Sequence, residues 1–118
     1  MEAQLVQGDY DTIDHTPSGA VVVGEIVVIG HYPCIAHHPI AANALGSVAV
    51  NRGVYSLDKS GSSGPNVAIG DALYFIVSTN LFTNVASGNK HWGWAIAAAG
   101  ASVNKVLGYH SPNGTQPA

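Results

Sequence analysis

The chain has 118 residues, of which 47% are hydrophobic and only 9% are charged. This length suits one domain with a single modest core. Disordered chains combine low hydrophobicity with high charge, so the composition excludes a disordered protein. No apolar stretch reaches the roughly 20 residues of a membrane-spanning helix, which argues against a membrane protein. Soluble domains carry about 25% charged residues, so we expect neighbouring identical copies to cover part of this weakly charged surface.

The fixed positive charges are few and scattered, and the formal net charge is −3. Nucleic-acid-binding surfaces need a cluster of positive charges along the phosphates, so we expect no nucleic-acid partner. Residues 1–4 lack the basic and apolar regions of a secretion signal, and the single cysteine, Cys34, has no partner for an internal disulfide. Both features favour synthesis and folding in a bacterial cytoplasm.

In chain order, the first predicted segment is a polar N-terminal arm, residues 1–16, with Leu5 and Val6 as apolar anchors. Short apolar runs rich in β-branched residues follow, separated by turn residues at intervals of about 8 to 12 residues. The predicted strands are 20–23, 26–29, 47–50, 54–57, 72–77, 92–99 and 103–109. Residues 100–102 separate the last two, which predicts a terminal hairpin.

This spacing predicts an all-β fold, a small β-barrel-like or β-sandwich-like single domain over residues 17–109. Residues 51–53 are expected to form a short connector whose glycine adopts a positive φ. Residues 40–45 are rich in alanine but too few for a stable helix, so we expect at most one helical turn there. Residues 110–118 are polar and contain two prolines, which predicts a flexible C-terminal tail.

A weak internal repeat links two of the strand entries. Ser18-Gly19 precedes Val23-Gly24-Glu25, and Ser63-Gly64 precedes Ile69-Gly70-Asp71. The glycine permits a tight turn, and the carboxylate can accept backbone N–H groups of that turn. The alternative is that the two acids form a carboxylate pair for general acid–base catalysis.

The densest group of reactive side chains consists of His31, Cys34, His37 and His38. Imidazole and thiolate donors at this spacing suit zinc, but a strong zinc signature has two separated ligand pairs, and the second pair is missing. A strand through Cys34 would instead turn this side chain inward as a small hydrophobic residue. A dyad of Cys34 and a neighbouring histidine would have no acid to orient its base. We therefore expect no cofactor and no enzymatic activity.

Trp92 and Trp94 stand two residues apart, so on a regular strand they share one face with Ile96. Three interpretations remain open: a stripe of core residues, a contact between subunits, or a platform on which a ligand stacks. We name Trp92 and Trp94 as candidates for an oligomer interface, because a subunit held by identical neighbours needs apolar side surfaces.

Four segments, taken in order, carry a resemblance to a known family. They are residues 7–30 (QGDYDTIDHTPSGAVVVGEIVVIG), 46–59 (GSVAVNRGVYSLDK), 68–75 (AIGDALYF) and 92–108 (WGWAIAAAGASVNKVLG). The first includes the triplet Asp11-Thr12-Ile13. Together they resemble the capsid decoration, or cement, proteins of tailed phages. The chain departs from the family's pattern at residues 31–38, at residues 80–91 and in the C-terminal tail.

The resemblance implies a small β-barrel-like domain that forms homotrimers on the outside of a phage head. Its partner there would be the major capsid protein, at the junctions between capsid subunits, where it would strengthen the shell against internal DNA pressure. The resemblance thus implies a structural protein of the virion, made in the host bacterial cytoplasm, without cofactor or catalysis.

The polar arm suggests how such a protein would attach. We expect it to add a strand to an exposed sheet edge of the capsid. The candidate contact residues are Gln4, Leu5, Val6, Asp11, Thr12 and Ile13. Two other function classes stay open: a metal-binding or hydrolytic protein that uses the cluster from His31 to His38, and a host-surface or glycan-binding module that uses the tryptophans.

Overall fold

The computed structural model describes residues 3–7, 11–59 and 66–112, and these contain ten β-strands and no helix. In chain order the strands are β1 (Ala3–Gln7), β2 (Asp11–His15), β3 (Ile26–Ile29), β4 (Tyr32–Ile35), β5 (Gly46–Asn51), β6 (Val54–Asp58), β7 (Ala72–Ile76), β8 (Leu81–Thr83), β9 (Lys90–Ala95) and β10 (Lys105–His110). The all-β prediction is confirmed. Residues 40–45 contain one turn, in which the Ala44 N–H donates to the Ala41 carbonyl oxygen. In the described ranges no helix could cross a membrane.

The strands form two antiparallel sheets. The strand order is β1-β6-β10-β9-β7-β8 in the six-stranded sheet and β2-β5-β4-β3 in the four-stranded sheet. Lys59, next to the end of β6, forms a parallel bridge with Phe82 of β8, so the larger sheet curls toward a closed barrel. One core cluster combines Ile35 and Ala49 of the smaller sheet with Leu57 of the larger. The shared core makes the two sheets one domain.

The chain changes from one sheet to the other between β5 and β6. Arg52 and Gly53 both have positive φ, 72° and 93°. The Arg52 N–H donates to the His110 carbonyl oxygen, and the His110 N–H donates to the Gly53 carbonyl oxygen. The predicted connector with a left-handed glycine is confirmed, and its bonds to β10 hold the crossing between the sheets.

Residues 20–23 do not form the predicted strand. Only Val21 pairs, in an isolated bridge with Ile40, and the next two residues are exposed in a turn. Gly24 has a φ of 83°, and the Val22 N–H donates to the Glu25 carboxylate at 3.0 Å. These local turn interactions override the strand preference of three consecutive valines.

Trp92 and Trp94 of β9 do not share a face, so that expectation is wrong. Trp92 is 0% exposed, whereas Trp94 is 44% exposed. The pairing of β9 with β7 skips Trp92, which is the extra residue of a β-bulge. A bulge interrupts the alternation of side chains along a strand. It turns Trp92 into the core and leaves Trp94 on the outer surface.

The last two strands pair antiparallel, as predicted, with different bounds. β9 ends at Ala95 rather than at residue 99, and Ala99 forms a separate bridge with Val67. β10 includes His110, which is fully buried, so the ordered domain extends past the predicted start of the tail. Residues 113–118 of the predicted tail, and residues 1, 2 and 8–10 of the predicted arm, lie outside the described residues.

The described residues of the expected arm form two edge strands that are part of the domain's sheets. β1 pairs antiparallel with β6, and β2 pairs antiparallel with β5. Leu5 of β1 packs against the core. Backbone groups at the edges of β5 and β6 need partners, and these two strands supply them.

The two sheets contain two copies of one arrangement. The order β2-β5-β4-β3 of the smaller sheet matches the order β6-β10-β9-β7 within the larger sheet. We call residues 11–51 the first repeat and residues 54–110 the second repeat. Strands β1 and β8 are additions at the two edges of the second repeat.

Backbone hydrogen bonds of the first repeat recur at equivalent residues of the second. Val21 and Ile40 bond as Val67 and Ala99 do, Gly24 donates to Ala36 as Gly70 does to Ala95, and Ala44 donates to Ala41 as Val103 does to Gly100. The strand register also matches, since Ile13 lies opposite Val48 as Ser56 lies opposite Leu107. The structure confirms the weak repeat seen in the sequence and extends it to four strands.

Candidate functional site

The side chains of the predicted metal cluster point in different directions. Cys34 of β4 is buried, whereas His31 before β4 and His38 after it are exposed. His37 Nε2 lies 2.7 Å from the Tyr55 hydroxyl oxygen. Within the described residues no three His, Cys, Asp or Glu side chains form a group that could hold a metal ion. The placement of these four residues gives the zinc alternative no support.

The thiol of Cys34 is held in its unreactive form. Burial raises the pKa of Cys34 to about 11, and its Sγ lies 3.5 Å from the Tyr32 carbonyl oxygen. A nucleophilic cysteine needs a lowered pKa and access to substrate. The prediction of an inward Cys34 is confirmed, and its environment disfavours a catalytic dyad.

The two acids of the repeated motif each cap their own turn. The Val22 N–H donates to Glu25 at 3.0 Å, and the Ala68 N–H donates to Asp71 at 2.9 Å. The Asn84 amide also donates to Asp71. The backbone bond first, and then the Asn84 bond, lower the pKa of Asp71. A general acid needs a raised pKa, so these bonds favour the turn interpretation over the catalytic one.

A cluster of four rings lies where β6, β9 and β10 meet the segment after β4. Tyr55 makes edge-to-face contacts with His37, Trp92 and His110, at centroid distances of 5.7, 5.7 and 5.9 Å. The rings of Trp92 and His110 stack at 4.1 Å. Sequence reasoning missed this cluster, because its members come from four distant segments.

His110 is a neutral residue of this core. Burial first, and the nearby His37 to a smaller extent, lower the pKa of His110 to about 4. Its Nε2 lies 2.8 Å from the Pro33 carbonyl oxygen, which only accepts, so Nε2 carries the proton. Among the described residues, His110 Nδ1 and Trp92 Nε1 have no hydrogen-bond partner. The imidazole therefore packs and donates one bond.

A shallow cleft of about 220 Å³ opens beside this ring cluster. Its polar side chains are Gln4, His37 and Tyr55, and its other described lining residues are apolar. Pockets that bury a small molecule are usually larger, roughly 300 to 1,000 Å³. The described lining residues include no acid, thiol or lysine. These residues do not form the nucleophile–base–acid arrangement of a hydrolytic site.

The predicted capsid-contact residues lie on two edge strands of different sheets. On β1, Gln4 and Val6 are exposed while Leu5 is half-buried against the core. On β2, Asp11, Thr12 and Ile13 are all exposed. The structure therefore divides these six residues between two surfaces.

The outer face of the larger sheet carries a second surface feature. Trp94 lies beside Tyr109 of the neighbouring strand, with ring centroids 6.0 Å apart and planes tilted by 46°. On the other side of β9, Tyr74 of β7 and His91 of β9 make an edge-to-face contact at 5.4 Å. These rings are partly exposed, whereas Trp92 belongs to the core of the chain.

A comparison with protein-family models matched a phage cement protein family over residues 6–109. The chain belongs to this family of phage cement proteins. No curated protein and no solved structure matched it. The resemblance inferred from the sequence is confirmed, and with it a structural role in association with a phage capsid.

The two edge strands that contain the predicted contact residues both carry exposed side chains. Gln4 and Val6 lie on β1, and Asp11, Thr12 and Ile13 lie on β2, each at the edge of its sheet. The polar pattern of the N-terminal segment predicted these residues as capsid contacts. Their positions at two separate edges depend on strand pairing, which no local signal in the sequence reveals.

Proposed function

We propose that this cement protein binds the outside of a phage head as a homo-oligomer and stabilises the shell. The observation that carries the proposal is the construction of β1. Leu5 fixes the strand to the core, while Gln4 and Val6 point away from it, and Val6 is 52% exposed. Among the described residues no strand pairs with the outer edge of β1. A strand that is held firmly on one side and open on the other is suited to pairing with a partner.

The partner we propose is an extended segment of the major capsid protein. An added strand would bond to the free backbone groups of β1, and Gln4 and Val6 would contact its side chains. A five-residue strand offers few such bonds, so one copy would bind weakly. An oligomer that presents several copies at once converts weak contacts into stable attachment through effective concentration. Capsid subunits joined in this way resist separation.

The oligomer we propose is a homotrimer with Trp94 at its contacts. Trp92 lies wholly in the core of one chain, so Trp94, beside Tyr109, is the tryptophan accessible to a neighbour. Tryptophan and tyrosine are enriched at the centres of protein interfaces. The weakly charged composition agrees with a surface that identical copies cover.

Binding to heads that lack the cement protein tests this proposal. The variant Val6→Asp places a charge on the exposed side of β1, and we expect it to weaken co-sedimentation with such heads by about tenfold or more. Val85→Asp is the matched control, because Val85 is 54% exposed outside the strands. We expect the control to bind as the wild type does and to protect heads against heating equally well. Equal binding by the Val6→Asp variant would overturn the role of β1.

A further inference from the structure

β2 offers a second open edge, on the other sheet. It is the outermost strand of the four-stranded sheet, and in residues 3–7, 11–59 and 66–112 no strand pairs with its outer side. The first four side chains of β2 are exposed, and Ile13, the central residue of the five-residue strand, is 45% exposed. Unpaired backbone groups beside an exposed β-branched residue form a template for another strand.

The second repeat shows what this edge can accept. β6 is the equivalent of β2, and its outer edge is covered by β1 in antiparallel orientation. In the pairing with β6, Ala3 lies opposite Leu57 and Leu5 lies opposite Tyr55. The repeat is therefore able to bind an antiparallel strand at this position. The first repeat carries the same edge without a described strand upon it.

The sequence of β2 is complementary to itself in antiparallel orientation. When Ile13 lies opposite Ile13 of a second copy, Asp11 lies opposite the second copy's His15 and Thr12 opposite its Asp14. Acid–imidazole, hydroxyl–carboxylate and β-branched pairs are favourable across strands, whereas two acids opposite each other are unfavourable. Because the two strands are identical and the pairing is symmetric, each polar pair occurs twice.

Neither β1 nor β3, the other edge strand of the smaller sheet, has this property. β1 contains no charged residue and therefore offers no acid to pair with a basic group of a second copy. β3 consists of the four apolar residues Ile26–Ile29 and offers no polar pair to select a register. The complementary polar pairs of β2 point to a second copy of the chain as its occupant.

We propose that two copies of this chain join through their β2 strands, antiparallel and centred on Ile13. The contact is symmetric about a two-fold axis, and the two four-stranded sheets become one continuous sheet. It is distinct from the capsid contact of β1 and from the contacts at Trp94. On a shell, it would link neighbouring oligomers side by side.

Cysteine cross-linking tests the register directly. Residues directly opposite each other in antiparallel strands have Cα atoms about 4.5 to 5.5 Å apart, which is within the range of a disulfide. Under mild oxidation we expect Ile13→Cys to form about tenfold more covalent dimer than Thr12→Cys, because position 12 lies opposite position 14 and its own equivalent is beyond disulfide reach. Cys34 is buried and does not compete.

The native mass of the protein in the absence of capsids provides a second measurement. Ile13→Lys would place two lysines opposite each other, so we expect it to reduce the native mass in sedimentation experiments to that of the oligomer without β2 contacts, while the circular dichroism spectrum is unchanged. Val85→Lys is the control and should leave the mass as in the wild type. Equal cross-linking at positions 12 and 13, or an unchanged mass for Ile13→Lys, would overturn the proposal. Loss of capsid binding by Ile13→Lys with an unchanged mass would assign β2 to the capsid instead.

Discussion

His110 is an ionisable ring enclosed in an otherwise apolar part of the core. It stacks on Trp92, contacts Tyr55 by its edge, and donates to the Pro33 carbonyl oxygen. Burial lowers the pKa of His110 to about 4, so the folded protein binds a proton there much less readily than the unfolded chain does. Protonation of this ring therefore favours unfolding.

We expect the free energy of unfolding to fall as the pH drops from about 6.5 to about 4, because over this range the unfolded chain binds a proton that the folded chain excludes. His110 accounts for about 3 kcal/mol of this loss of stability. Below pH 4 the ring is protonated in both the folded and the unfolded state, so its contribution no longer changes with pH. His37 and His91, whose pKa values burial also lowers, act in the same direction.

Urea unfolding of His110→Phe across this pH range checks the expectation. The variant keeps a ring against Trp92 and should show a clearly flatter dependence of stability on pH than the wild type. Trp94→Phe is the control, because it changes an exposed ring without removing an ionisable group, and its stability should follow the wild-type pH profile. If the stability of His110→Phe depended on pH as strongly as that of the wild type, groups other than His110 would cause the loss of stability at low pH.

At the scale of the elements, the pairing of β9 with β10 depends on a glycine. Gly93 follows Trp92 and lies opposite His110 of β10. A Cβ atom added at Gly93 would overlap the backbone carbonyl oxygen of Tyr109. The close approach of β9 and β10 therefore requires glycine, since a backbone oxygen cannot move aside as the end of a flexible side chain can.

We expect Gly93→Ala to destabilise the fold by about 3 kcal/mol or more, because the two strands must separate to admit the methyl group. The matched control is Gly100→Ala, since no atom lies within 4 Å of its added Cβ, and it should change stability by less than about 0.5 kcal/mol. Thermal unfolding followed by far-ultraviolet circular dichroism measures both. A Gly93→Ala variant as stable as the control would contradict the described pairing of β9 and β10.

At the scale of the whole molecule, the two repeats share the larger of two core clusters. Ile35 and Ala49 of the first repeat belong to the same buried cluster as Leu73 and Trp92 of the second. The other cluster lies within the first repeat and includes Val48. The second repeat therefore buries its described core residues together with those of the first. A single cooperative unfolding transition follows from this arrangement.

The variant Ile35→Ala tests the coupling, because both tryptophans lie in the second repeat. Removing this buried side chain should cost about 3 kcal/mol. We expect tryptophan fluorescence and circular dichroism to report the same lowered urea midpoint, although the substitution is in the first repeat. Ile69→Ala, at a 68% exposed position, should leave the midpoint near that of the wild type. If Ile35→Ala left the urea midpoint measured by tryptophan fluorescence unchanged, the repeats would unfold independently.

The sequence by itself determined the local features of this protein. The strand expected through Cys34 predicted that this side chain is buried, Gly53 marked the connector, and the Gly-acid motifs at Gly24 and Gly70 marked two turns. Each of these follows from side-chain period or turn chemistry within a few residues. The ordered set of motifs was also sufficient to identify the family.

Only the tertiary structure decided which strands pair and where the alternation breaks. β1 and β2 look alike as polar segments, yet they join different sheets, and the bulge that separates Trp92 from Trp94 exists only in the pairing of β9 with β7. His110 reads as the start of a polar tail but completes a ring cluster with Tyr55. These outcomes depend on contacts between distant segments, and a strand's own residues do not specify its partner or register.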